Sequence, residues 1–106
     1  MYQEHRNIKS EKADFDIESS VFGNEYTTDT KKATEKYIDK TIQLSGEVTE
    51  IESDSFTLDN LVVCYTDSAT LKKIVLNTIL LVKGRSIGYD ELLGLVKLDQ
   101  VSIVND

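Results

Sequence analysis

Lys40-Thr41-Ile42-Gln43-Leu44-Ser45-Gly46-Glu47-Val48 alternates apolar with polar side chains. The same rhythm returns in Ile79-Leu80-Leu81-Val82-Lys83-Gly84-Arg85-Ser86-Ile87-Gly88-Tyr89 and in Leu95-Val96-Lys97-Leu98-Asp99-Gln100-Val101-Ser102-Ile103-Val104. Successive side chains of a strand point to opposite faces, so a period of two marks strands with one buried side. Ile42, Leu44 and Val48 form the inward set of the first strand; Gln43, Ser45, Glu47 and Thr49 face out. Gly46 falls on the inward side, where a missing side chain lets a long strand bend sharply.

Working outward, the first strand runs from Thr41 to about Ile51, and Glu52-Ser53-Asp54-Ser55 is a turn. Phe56 to Leu58 is a short second strand, Asp59-Asn60 a tight hairpin signal and Leu61 to Tyr65 a third strand. Asp67 or Ser68 caps a helical stretch to about Leu76, with Leu71, Ile74 and Val75 as its buried face. Thr78 to Arg85 is the fourth strand. Gly88-Tyr89-Asp90 turns the chain into a fifth, Leu92 to Val104. The inward set of that strand reads Val96, Leu98, then Val101 and Ile103, so its phase slips near Asp99-Gln100 and predicts a bulge.

Ahead of the strands, Asp16 caps a first short helix carrying Ile17, Val21 and Phe22, ended by Gly23-Asn24. A second helix runs from Thr28 or Asp29 to about Ile38, with Ala33 and Tyr37 on one face and Lys31, Lys32, Glu35 and Lys36 on the other. Met1 to Asp14 is polar and reads as a flexible lead-in; residues 15–106 are the folded domain. The fold class is therefore α+β. Five strands form an OB-fold barrel, with two N-terminal helices and a helix between the third and fourth strands.

At 106 residues the chain is one domain. Its formal charge is −7, and the stretch from Thr41 to Asp106 carries ten acids against five bases, so the acidity is not confined to a tail. Such a field opposes a polyanionic partner, since nucleic-acid affinity rests largely on phosphate neutralisation by Lys and Arg. The single cysteine excludes an intrachain disulfide and a cysteine-built metal site. No apolar run approaches the roughly 20 residues of a membrane-spanning helix.

Binding chemistry gathers on a few side chains. OB barrels hold ligands on the face of the second and third strands, rimmed by the loops joining strands one to two and four to five. That rule singles out Phe56, Tyr65, Lys83, Arg85 and Tyr89 as the ligand-binding set. Aromatic rings with basic neighbours suit sugars, peptides or stacked bases. The plain alternative is that the cations are solvated strand positions, Tyr65 packs on a helix and Tyr89 shields a turn. Cys64, in an apolar strand far from the only histidine, His5, reads as an inert buried thiol. Glu50, Glu52, Asp54, Asp59 and Asp67 lack the spacing of a calcium loop. No catalytic set, metal site or cofactor is expected.

The ordered set Tyr37-Ile38-Asp39-Lys40-Thr41-Ile42, Ser45-Gly46-Glu47-Val48, Ile51, Val63-Cys64-Tyr65, Val82-Lys83-Gly84, Gly88-Tyr89-Asp90 and Leu98 resembles the tRNA-anti-like OB family of small bacterial proteins. The resemblance covers about Ile17 to Val104. It implies a binding module, often held at the cell envelope by an N-terminal anchor or lipoprotein signal. His5-Arg6-Asn7-Ile8 and Ser10 to Phe15 are similar to the connector after such an anchor, so the resemblance implies membrane contact only through an anchor that is not among these residues. Ser86 and Ser102 stand about where the family often carries cysteines, so a shared thiol site is not implied. Leu76-Asn77 replaces the family's Gly-Asp. The family name describes likeness to anticodon-binding domains and is not evidence of tRNA binding. The function expected is a non-catalytic binding or interaction module with a protein, peptide or carbohydrate partner; the resemblance implies a place outside the cytoplasm, with the cytoplasm as the alternative. The alternative is a single-stranded nucleic-acid-binding domain.

Overall fold

The computed structural model describes residues 12–104. The expected lead-in falls mostly on residues 1–11, outside the described part. Asp14, at its end, is tied to the fold: its N–H donates to the Thr41 carbonyl at 2.7 Å, and its carboxylate accepts from the Thr41 N–H at 3.0 Å.

The decisive strand is present with its expected bounds, Thr41–Ile51 (β2). Its first half pairs antiparallel with β5 (Ile79–Asp90), from Thr41 opposite Arg85 to Glu47 opposite Ile79. Its second half pairs with β3 (Ser55–Leu58) after an irregularity between Val48 and Glu50. β3 turns through Asp59 and Asn60 into β4 (Val62–Tyr65). Asp59 and Asn60 both have left-handed backbone, φ 52° and 57°, and the Leu61 N–H closes their tight turn on the Leu58 carbonyl at 2.9 Å; Leu58 then pairs with Val62, so the loop holds three residues. β4 runs parallel to β6 (Leu95–Ile103), and β6 returns antiparallel to β5. Five strands thus close a mixed barrel in OB order. The phase slip in β6 is a bulge: Lys83 faces Ser102 while Arg85 faces Asp99, and Gln100 takes φ 52°.

The barrel is filled by its own wall. Ile42, Leu44, Val48, Phe56, Leu58, Val62, Cys64, Val82, Val96 and Leu98 are each 0% exposed. This is the dry, close-packed interior that period-2 patterning produces.

Several elements differ from the sequence reading. Ile17 is not helical: Phe15–Glu18 (β1) runs parallel to the first half of β2, so Asp16 caps nothing and its carboxylate instead accepts from Gln43 Nε2 at 3.0 Å. The first helix, α1, is Ser19–Thr28 and passes through Gly23 and Asn24. Gly23 is small for a packing reason, not a turn: a Cβ there would lie 2.8 Å from Leu61 Cβ. The buried stripe of α1 is Ser19, Phe22, Gly23 and Tyr26, and Val21 is 49% exposed.

The second helix, α2, is Thr30–Tyr37, capped by the Asp29 side chain accepting from the Lys32 N–H at 3.1 Å, with Ala33 and Tyr37 buried as expected. The third, α3, covers only Ser68–Leu71. Asp67 caps it, Ile74 is buried just beyond it, and Val75 is 61% exposed. Asn77 takes φ 66°, so the left-handed backbone open to asparagine there is used.

Candidate functional site

The last correction moves a proposed ligand residue. The chain does not turn at Gly88-Tyr89-Asp90; β5 runs on to Asp90, and the turn is Glu91 to Gly94, where Gly94 takes φ 70°. Leu92 and Leu93 lie in that turn rather than in the fifth strand, their N–H groups donating to Asp90 Oδ1. Simple alternation from Arg85 would put Tyr89 on the outer face. A second irregularity, between Ser86 and Gly88, reverses the phase, with Gly88 at φ 141°. Tyr89 therefore faces the same way as its partner Val96, and its ring stacks on Tyr26 at 5.4 Å.

The five residues expected at the ligand face are thus distributed over three environments. Phe56 lies wholly inside the barrel, 0% exposed. Tyr89 belongs to the seam between barrel and helices. Tyr65, Lys83 and Arg85 are half-buried positions that alternate with the inward-facing Cys64, Val82, Gly84 and Ser86. Arg85 grips Asp99 in a two-point ion pair, Nε to Oδ1 at 2.9 Å and Nη2 to Oδ2 at 2.6 Å. Such a fork geometry is directional and strong for an ion pair. Lys97, opposite Val63 on the adjoining strand, reaches Asp90 at 3.9 Å.

Cys64 is a core thiol, and burial pushes its pKa far above the ordinary 9.0. A thiol held protonated this firmly is a poor nucleophile. Of the acids weighed for cations, Asp59 accepts from Ser19 Oγ and from the Glu47 N–H, and Asp67 caps α3. Among the described residues, no group of three or more His, Cys, Asp or Glu side chains is arranged to hold a metal ion.

The helical end shows a feature the sequence reading missed. Phe15, Phe22, Tyr26, Tyr37 and Tyr89 form a chain of ring contacts with centroids 4.8 to 6.0 Å apart. Tyr26 is 0% exposed, and its hydroxyl lies 3.2 Å from Ser86 Oγ. Burial raises its pKa above the usual 10.0. Tyr37 donates to Glu25 Oε2 at 2.7 Å, and its pKa is raised by burial and then by that carboxylate. Lys36 lies over the Tyr37 ring at 5.0 Å and pairs with Glu25 at 3.3 Å. Phe22 and Tyr26 stand four residues apart on one helical face, which was the available signal.

Two concavities open on the surface. A groove of about 640 Å³ lies between α1 and α2, and a cleft of about 260 Å³ lies beside Gly46, lined by Glu18, Glu47, Asp59 and Ile79. A closed, internally filled OB barrel with its concavities on the outside defines a binding module. The chain belongs to the tRNA_anti-like family, whose sequence profile matches residues 2–84. That match begins earlier than the resemblance read from the residues and ends within β5. A crystal structure of a provisionally described nucleic acid-binding lipoprotein from Klebsiella pneumoniae subsp. pneumoniae shares the fold. Its TM-score is 0.68 at 13% identity, covering 83% of this chain and 90% of that one. No curated protein matches the chain in sequence.

Proposed function

We propose that this chain is a non-catalytic binding or interaction module of the bacterial cell envelope, engaging a protein, peptide or carbohydrate partner on its outer surface. One observation carries the reading: the barrel interior is filled by the ten side chains of its wall, so recognition belongs to the exterior. The lipoprotein description of the Klebsiella neighbour supports an envelope setting. The test is fractionation of cells expressing the full native gene with a C-terminal epitope. Recovery with the membranes, and digestion of the epitope by protease added to spheroplasts, is expected. Recovery in the cytosol would overturn the envelope assignment.

The neighbour's nucleic-acid description, with Tyr65 and Lys83 on half-buried outward positions, favours a second reading as a single-stranded nucleic-acid binder. The net charge of −7 weighs against it. In a mobility-shift titration at 150 mM salt, a single-stranded 20-mer should show no submicromolar binding. Submicromolar binding, lost on Lys83→Ala with Lys97→Ala, would establish the second reading instead. Arg85 is left intact in that test because its ion pair with Asp99 has a structural role.

A further inference from the structure

We infer that the free edge of β1 pairs with an extended segment of a partner protein in which basic and apolar residues alternate. The inference rests on the binding-module reading and places its site at the sheet edge beside the first half of β2.

β1 is the outermost strand of its sheet. It runs parallel to β2 on one side, from Phe15 opposite Ile42 to Glu18 opposite Ser45, and no described strand pairs with its other side. Beyond that ladder, no backbone hydrogen bond ties Phe15, Asp16 or Ile17 to another described segment. In a strand paired on one side only, alternate N–H and C=O groups point away from the neighbour, and an added strand uses those groups. Phe15 and Ile17 lie on one face and are half-buried; Asp16 and Glu18 lie on the other and are exposed.

The exposed face is acidic. Asp14, just before the strand, shares that face by spacing and is exposed too. The carboxylates of Asp14 and Asp16 accept from neutral groups, the Thr41 N–H and the Gln43 side-chain amide. Among the described residues, no lysine or arginine pairs with Asp14, Asp16 or Glu18. Lys36 lies over the Phe15 ring, which belongs to the other face. Lys83 is two strands away, beyond Gln43, so its backbone is about 10 Å from that of Asp16. At Glu18 the acidic row runs into the cleft of about 260 Å³, where Glu47 and Asp59 join it and the exposed Ile79 forms a wall. The aliphatic stem and charged head of a lysine or arginine suit carboxylates beside an apolar wall.

These charges select among occupants. A second copy of β1 would set carboxylate against carboxylate, so the edge discourages self-pairing. A segment with Lys or Arg at every second position meets the carboxylates. Its intervening apolar residues extend the face of Phe15 and Ile17.

The test is fluorescence anisotropy at 150 mM salt with the intact chain and a labelled octapeptide of alternating Lys and Val. Binding should weaken at least tenfold for a peptide of the same composition in two blocks, and on Asp16→Lys with Glu18→Lys in the chain. That double variant should in turn bind an octapeptide of alternating Glu and Val. Both positions are exposed, and an unchanged melting temperature verifies that the variant folds. Residues of one parity turn their N–H groups to a paired strand. N-methylation of the lysines or of the valines should therefore abolish binding in one case and spare it in the other. No saturable binding, equal binding of the block peptide, indifference to the charge reversal, or equal tolerance of both methylation patterns would overturn the inference. Loss of binding on Tyr65→Ala instead would also overturn it while leaving the binding-module reading intact, with its site on the barrel wall. A dimer of the intact chain in sedimentation, dispersed by Asp16→Lys with Glu18→Lys, would overturn it in favour of a second copy.

Discussion

Inside the barrel wall the buried side chains are mainly aliphatic, Ile42, Leu44, Val48, Leu58, Val62, Val82, Val96 and Leu98 among them. At the end covered by α1 and α2, five of the chain's eight aromatic residues meet ring to ring. Neighbouring strands lie about 4.8 Å apart, so alternate branched side chains of modest volume fill a small barrel. Its open end is a wider gap that helices cross at a distance, and large flat rings span it. Rings with hydroxyls suit that position because one edge is dry and the other can reach a polar partner. Tyr26 finds Ser86, sixty residues away, and Tyr37 finds Glu25. The wall is thus set by local alternation and the end by long-range matching.

The comparison is broken most severely from the wall. Val82→Asp buries an unpaired charge opposite Leu44, a loss of roughly 3–5 kcal/mol by analogy with uncompensated buried ions. Circular dichroism should find no cooperative melt near the parental temperature. A soluble variant of near-parental stability would refute the register of β2 and β5.

Phe22→Ala tests whether the rings matter as much. It removes the ring that touches both Tyr26 and Tyr37 and should cost about 3–4 kcal/mol in urea denaturation. Cys64, deep in the wall, serves as an internal reporter. Its labelling by iodoacetamide should stay slow in native buffer and become fast only with global unfolding. Early labelling in Phe22→Ala would show that the wall depends on the helices for its closure.

The seam between the two regions is Gly46. A Cβ there would crowd Ser19 Oγ and lie 2.8 Å from Asp59 Oδ2, prising apart the contact that pins the start of α1 to the β3–β4 turn. Gly46→Ala should cost about 1–3 kcal/mol, and Gly46→Ala combined with Ser19→Gly should recover part of the loss.

Tyr26→Phe is expected to be the mildest, about 1 kcal/mol at neutral pH, because it leaves Ser86 Oγ without its buried partner. Its pH signature is sharper. Raised pKa values mean that the folded state holds these protons more tightly than the unfolded chain. The stabilisation is complete at low pH. It declines as pH rises past the unfolded values, 9.0 for Cys64 and 10.0 for Tyr26 and Tyr37. Urea midpoints should therefore fall above about pH 9, and less steeply in Tyr26→Phe. An alkaline limb unchanged by that substitution would remove Tyr26 from the account.

The bounds of β2, the inward residues of the wall, the Asp59-Asn60 hairpin, the Asp29-led second helix and the bulge at Gln100 were all legible in the sequence. Each is written in residues close to one another along the chain: alternation, a cap, or a pair that tolerates left-handed backbone. The candidate site was less legible. Phe56 was placed at the ligand face, although the alternation that buries Cys64, its partner across the hairpin, buries it too. Tyr89 was placed in a turn because Gly88-Tyr89-Asp90 has the composition of one, yet β5 runs through it and the irregularity beside Gly88 carries the ring to Tyr26. Gly23 was read as a stop, yet it is a contact surface for Leu61, on a different element of the fold.

By itself, the sequence determined which segments are strands, which way most of their side chains face and that the surface is acidic, because these follow from spacing and composition. Only the tertiary structure decided that β1 joins the sheet, that five rings meet at the helical end and that a groove bordered by Glu25, Asp29, Lys32 and Lys36 opens between α1 and α2. Those features depend on distances between residues far apart in the chain, which packing fixes and no local period records.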